Sequence, residues 1–408
     1  MTAVETNTTI REQAAQRFEQ LGWPTPRQEE WKYTNVAPIT KIDWKSPVGG
    51  QAPLPVVPDM SLRNRALVEL VFVNGRFVER IGDGASGLRV ARLAEESNDH
   101  LAKYADYQEH AFTALNTAKF DDGALIVADG IVEGFVHILY IGSGDGIWSH
   151  PRNLIIANRG AQLTVVETYA GDGRYFTNAV TEIIAAEGAV VDHYKLECES
   201  IDAYHVGTVQ IHQERSSSVT AHSIAIGGAL VRNEVNAALK GEGSNLALEG
   251  LFIGAGTQHL DSKTVIEHAR PHCESLELYK GILDQNARGI FDGRIIVGIG
   301  AQKTVAKQTN KNLLLSETAI VDSKPTLEIH NDDVKCNHGS TIGQLAEEPL
   351  FYLRSRGIAE EEARGLLIHA FASEVVDRIK IDAVRESVRR AMFRHMPHRL
   401  PERRGGAR

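Results

Sequence analysis

The feature that most constrains this chain is a repeat. Gly160-Ala161, Gly188-Ala189, Ser216-Ser217 and Gly243-Ser244 recur at steps of about 28 residues, and each small pair precedes a run with strand character. Those runs are Gln162 to Ala170, Val190 to Glu199, Val219 to Ile226 and Asn245 to Phe252. Further β-type runs fall between them, at Ala179 to Ala185, Val206 to Gln213 and Val235 to Lys240. Each period therefore holds two short strands and a corner of small residues. Stacked coils need that arrangement, because every coil must turn at the same place and bury its strands on its neighbours. The repeat predicts a parallel β-helix from about residue 150 to about residue 335. An antiparallel sandwich with evenly spaced turns is the alternative reading of the same spacing.

Both ends differ in period. Ile10, Ala14, Phe18 and Leu21 lie at three- and four-residue steps, which predicts a helix stopped by Gly22 and Pro24. A Pro/Gly-rich connector spans Ser46 to Pro58. The run Leu67 to Val73 then closes on Asn74-Gly75, a dipeptide suited to a tight hairpin. Beyond Gly343, Glu360, Glu361 and Glu362 fill a first helical turn, and Leu367, Phe371, Val375 and Ile379 recur every four residues. A second helix is expected from Asp382 to about Met396. The expected organisation is a helical region over 1–60, a solenoid core over 61–342, a helical domain over 343–396, and a disordered basic tail over 397–408.

Composition narrows the function. With 44 Lys+Arg against 53 Asp+Glu the net charge is −9, which argues against nucleic acid or an anionic membrane as partner. Three cysteines cannot form a disulfide framework and fit a reducing compartment, so a cytoplasmic protein is expected. The first twenty residues lack the apolar stretch of a secretory signal. The most apolar stretches, Ala124 to Ile141 and Leu366 to Val376, carry charges well short of the ~20 residues a membrane span requires.

Reactive groups are densest from Leu327 to Gly339. There Cys336 and His338, two apart on a strand, share a face and form half of a soft-metal site for iron or zinc. No CxxC or second Cys-x-His supplies the rest, so further ligands would come from another chain or a small thiol. A packed core thiol beside a hydrogen-bonded turn histidine, or a Cys–His nucleophile, would leave the same trace. Cys198, between Glu197 and Glu199, and Cys273 read as structural. The glycine-rich pieces Gly142 to Gly146 and Gly298 to Thr304 lack P-loop spacing and read as solenoid corners. His205, His212, His222, His259 and His268 read as satisfied or exposed strand histidines. A β-helix carbohydrate-active enzyme is the alternative function, although aromatics are only 6% and no acid pair stands at a fixed offset.

Motifs along most of the chain resemble the SufB/SufD family of iron–sulfur cluster assembly proteins. They are Arg27 to Thr34 with its EEWKYT core, Tyr279-Lys280-Gly281, Ala301 to Thr304, Asn312 to Ser316, Lys324 to Ile329, Asp332 to Gly339 and Leu350 to Gly357. Within the family the chain resembles the SufD branch. It is short for SufB, has Lys335-Cys336-Asn337-His338-Gly339 where SufB has an acidic run, and lacks SufB's extra cysteines. The resemblance implies a right-handed parallel β-helix flanked by helices and a non-catalytic scaffold role, with ATP hydrolysis left to a partner. It implies a heterodimer with SufB, with a homodimer as the form of the isolated chain. It also implies binding of the ATPase SufC at the C-terminal helices, where Leu367, Phe371 and Val375 are the expected contacts. No tightly bound cofactor is implied, only a transient Fe–S cluster at the SufB interface held by Cys336 and His338.

Overall fold

The computed structural model describes residues 3–47, 62–96 and 98–395, with side chains from Thr9 onward. The tail over 397–408 and most of the Ser46 to Pro58 connector lie outside the described residues. The core is a parallel β-solenoid of about eight turns, built as two facing ten-stranded sheets. In the first sheet, Gln162, Val190, Ser218, Asn245, Glu274, Val305 and Lys335 are successive register partners, 27 to 31 residues apart. The second sheet runs in parallel from Gly123–Ala128 to Ile320–Ile329.

The predicted corners are the point where each coil enters the first sheet. Gly160, Gly188, Ser216 and Gly243 all take left-handed φ, from 56 to 71°. His272 and Lys303 continue the series at 59 and 60°. Each corner's N–H donates to a carbonyl of the next corner, as in Gly188 to Arg215 and His272 to Gln302, both 2.9 Å. The residues that follow, Ala161, Ala189, Ser217, Ser244, Cys273 and Thr304, are fully buried and stack as a column. Cys273 is therefore the small filler of one corner; its Sγ lies 3.3 Å from the Gly241 carbonyl and from Ser244 Oγ. The antiparallel hairpin closed by Asn74-Gly75 forms as expected, with φ 49 and 77°.

Alternation along each strand sorts side chains into an inside and an outside. Inside the second sheet, Ile126, Ile155, Ile183, Ile211, Ala237, Ile266, Ile295 and Leu327 stack coil on coil. Each buried isoleucine contributes about 1.5–3 kcal/mol.

Helices cover both outer faces. On the second sheet lies the N-terminal region: α1 (Ala3–Leu21), α2 (Ala37–Thr40) and α3 (Ala111–Lys119), with Trp31, Ile39, Trp44 and Phe112 packed on Phe176 and Leu230. The EEWKYT segment is the fastener. Arg232 stacks 3.9 Å from the Trp31 ring centre and donates to the Glu30 carbonyl, Lys263 pairs with Glu30 at 2.8 Å, and Lys324 pairs with Glu29 at 2.7 Å. Thr34 bonds both Asp261 and His259. On the first sheet lie α5 (Glu360–Val376) and α6 (Asp382–His395), preceded by α4 (Glu347–Ser355), which buries no residue. Ile368, Ala372, Val375, Ile379, Val384 and Val388 pack on Tyr194, Ile224, Leu251 and Ile282. Lys280 fixes α5 by donating to the Phe371 carbonyl at 2.8 Å and pairing with Glu374.

Two glycines separate the kinds of constraint the fold imposes. At Gly188 an added Cβ meets nothing within 4 Å, so only its φ of 70° resists substitution. At Gly250, inside the first sheet, a Cβ would stand 2.1 Å from the buried Tyr279 ring. Gly188→Ala should cost about 1–2 kcal/mol. Gly250→Ala should cost more, because overpacking adds about 1–3 kcal/mol or more and the ring has no free space to enter. Urea unfolding monitored by circular dichroism checks the order.

Candidate functional site

Cys336 and His338 lie on Lys335–Gly343, the last strand of the first sheet, which has a neighbour on one side only. Register defines their surroundings. Cys336 ends the column Leu163, Val191, Val219, Leu246, Ser275, Ala306, whose members are all buried. His338 ends the column His193, Ala221, Leu248, Glu277, Gln308. Both residues therefore occupy inward positions at the solenoid's open end, as the two-residue spacing predicts. Ser340 follows on the same face, 2.8 Å from Ser323 of the opposing sheet, and Ser323 bonds Asn310 one coil below.

Cys336 is half-buried against the end of the apolar core, and that burial pushes its thiol above the ordinary value. At neutral pH it is a protonated thiol, which must lose its proton to bind a soft metal. Among the described residues no cluster of three His, Cys, Asp or Glu is placed to hold a metal ion. A tetrahedral metal site uses four donors, and Cys336 and His338 would make two of them.

Deeper in the solenoid is a cluster that the sequence does not announce. Glu197 pairs with Lys195 and His205, each at 2.8 Å, and His205 reaches Glu199 at 2.8 Å on its other side. Burial opposes ionisation of Glu197, but Lys195 and His205 hold its carboxyl well below the usual range. Glu167 accepts from Tyr169 and Thr181 and pairs with His193. Beside this cluster is a cavity of about 10 Å³, lined by His193, Lys195, Ser223, Asn233 and Tyr279 among others, with room for about one water. It is too small for an organic ligand, and the acids around it are sealed between the sheets, out of reach of a polysaccharide.

Other sequence-predicted groups fall into place. Cys198 packs toward the helices on the outer face, whereas Glu197 and Glu199 are inside, so alternation separates the thiol from its acidic neighbours. His259 bonds Thr34 and His268 bonds Ser275. His222 departs from the expectation of a satisfied or exposed ring. It is buried, stacks on Tyr194 at 4.8 Å, has no hydrogen bond on either ring nitrogen, and is pulled by burial to a pKa of about 3. The expected stripe of α5 faces the sheet, and its last member, Ile379, is fully buried. Val375 is fully buried against the sheet and Leu367 and Phe371 are half-buried, whereas Leu366 is 38% exposed. The exposed apolar groups nearby are Phe351 and Tyr352 of α4, 73% and 57% exposed.

A parallel solenoid that ends in a thiol and an imidazole and carries helices on both faces matches two family models. The SufBD core domain of the SUF system of FeS cluster assembly covers residues 140–371, and the SufBD N-terminal region covers residues 2–133. The chain belongs to the SufBD family of iron–sulfur cluster assembly proteins. It is similar to SufD of Escherichia coli, 32% identical over 97% of this chain and 94% of that protein. SufD of Bacillus subtilis is 27% identical over 93% of this chain and 91% of that protein. A SufBD family protein of Synechocystis is 32% identical over 94% and 89%. Two of these three relatives are SufD proteins. No helix among the described residues is long and apolar enough to cross a membrane.

Glu277, two coils below His338, gives the interior a measurable pH signature. Burial lifts its carboxyl from 4.5 to about 7. The folded chain then holds a proton that the unfolded chain has lost between those values, so this group lowers stability as pH rises through that window. At about 1.4 kcal/mol per pH unit the effect reaches about 3 kcal/mol. Glu277→Gln cannot ionise. Relative to wild type it should gain up to about 3 kcal/mol between pH 5 and pH 8 in urea unfolding, and parallel curves at the two pH values would contradict the assignment.

Proposed function

We propose that this chain is a non-catalytic scaffold subunit of SUF iron–sulfur cluster assembly, whose open solenoid end meets a SufB-type partner and helps hold the nascent cluster. The carrying observation is the placement of Cys336 and His338 side by side on the inward face of the last coil. The unpaired edges of Ile320–Ile329 and Lys335–Gly343 offer backbone donors and acceptors to a further strand, which is how sheets recruit partners. Ile320, Ile329 and Ile342 are exposed along these two strands and add apolar surface to the contact. The remaining ligands to iron would come from the partner or a small thiol, and the cluster is cargo rather than a resident cofactor.

Co-expression with SufB- and SufC-type partners, followed by assay of iron and labile sulfide, tests the site. Cys336→Ala and His338→Ala should each lower cluster yield several-fold while leaving the complex assembled. Full yield in both variants would falsify the role given to the pair.

For the ATPase, the supporting observation is the exposed apolar surface of Phe351, Tyr352 and Leu366 on α4 and α5. Deleting the helices would strip cover from the apolar face of the first sheet, so point substitutions are the cleaner probe. Phe351→Asp and Leu366→Asp should each weaken binding of the SufC-type ATPase about ten-fold or more with unchanged circular dichroism, measured by calorimetry. Wild-type affinity in both would place the ATPase elsewhere.

A further inference from the structure

The column beneath His338 is built in a way that the ligand role of that histidine alone does not require. Gln308 is its register partner on the preceding coil, and Glu277 is the partner of Gln308 one coil further in. Glu277 and Gln308 are both completely buried. Gln308 Nε2 donates to Glu277 Oε2 at 2.7 Å. The facing sheet leaves room for that amide: a Cβ on Gly293 would stand 2.4 Å from Gln308 Nε2. With Nε2 turned to the coil below, Oε1 is the amide's acceptor directed elsewhere. That oxygen is buried and has no hydrogen-bond partner, a costly condition at a position the fold could have filled with an apolar side chain.

A histidine that ligates a metal through one ring nitrogen normally donates its other N–H to a carboxylate or carbonyl oxygen, which fixes the tautomer and the ring plane. Gln308 Oε1 is an acceptor of that kind, on the neighbouring strand and on the same inward face. We propose that Gln308 is a positioning residue for His338, its Oε1 accepting the imidazole N–H and Glu277 holding the amide in the orientation that presents the oxygen. This rests on the reading of His338 as a cluster ligand and extends it: the ligating nitrogen is set by a row of three side chains on three successive coils. No bond is made or broken in this step. Gln308 selects which nitrogen carries the proton and which turns its lone pair to the open end.

The test uses the full chain with ¹⁵N-labelled histidine, reading the tautomer of His338 by NMR, with its signals assigned by their loss in His338→Ala. Wild type should show one dominant tautomer. Gln308→Met, which keeps the volume and removes the acceptor, should shift the ring toward a mixture, and the exchange of Glu277→Gln with Gln308→Glu, which keeps one N–H donor and one acceptor in the row, should return it to one form. In the complex co-expressed with its partners, cluster yield should fall about ten-fold in Gln308→Met and recover in the exchange variant. Should Gln308→Met perturb folding, Glu277→Leu loosens the amide without touching Gln308 and should produce the same tautomer shift. A tautomer unchanged in folded Gln308→Met and in Glu277→Leu overturns the positioning role, even where His338→Ala abolishes the cluster. A tautomer that follows Gln308 while His338→Ala leaves cluster yield intact supports the hydrogen bond and overturns the ligand reading instead.

Discussion

The structure depends on the hydrogen-bond ladder between successive coils. Each coil lends its backbone edges to two neighbours and buries its inner side chains on them, as the register from Gln162 through Lys335 shows. A solenoid built this way has no intrinsic stop. One end is closed by the antiparallel strands Arg76–Ile81 and Leu88–Arg92, which cannot propagate the parallel stack. At the other end Ile320–Ile329 and Lys335–Gly343 keep one free edge each. That end is where the reactive pair sits, and its incompleteness is the physical basis for assigning it to an interface.

The same ladder turns separation along the chain into contact in space. Glu277, Gln308 and His338 are about thirty residues apart and are nearest neighbours across the sheet. Polar groups inside such a stack carry a desolvation cost unless they are paired. Most are: Glu197 has Lys195 and His205, and Asn310 has Ser323. The polar lining from Glu277 and Asn310 to His338 and Ser340 is carried by the coils nearest the open end, where a wholly apolar interior would have served stability alone. Outside the sheets, the helices fasten to particular coils through Arg232 with Trp31 and Lys280 with Glu374, so the motif residues Trp31 and Lys280 help hold the fold together.

Much of this was legible in the sequence, for identifiable reasons. The corners at Gly160, Gly188, Ser216 and Gly243 were visible because a left-handed backbone favours glycine and small polar residues. The series was lost at His272, which adopts the same conformation without advertising it, and was visible again at Lys303 only through the glycine-rich piece Gly298 to Thr304. Cys273 could not be recognised as a corner filler for the same reason. The Cys336/His338 pair was readable because a period of two is local to one strand. The column beneath it was not, since coil lengths vary between 27 and 31 residues and a one-residue error exchanges inside for outside. The face of α5 was legible because Leu367, Phe371, Val375 and Ile379 recur every four residues, and Val375 and Ile379 are fully buried with Phe371 packed against the same cluster; that Ile368 and Ala372 join them is decided only by packing on the sheet.

The central claim is that the last coil is completed by a second solenoid. Amide hydrogen exchange of the chain alone and in complex with its SufB-type partner addresses this directly. The account predicts that amides of Ile320–Ile329 and Lys335–Gly343 slow about ten-fold or more on complex formation, while the central strands keep the slow exchange they already have. Unchanged exchange in those two strands, with protection appearing elsewhere, would contradict it.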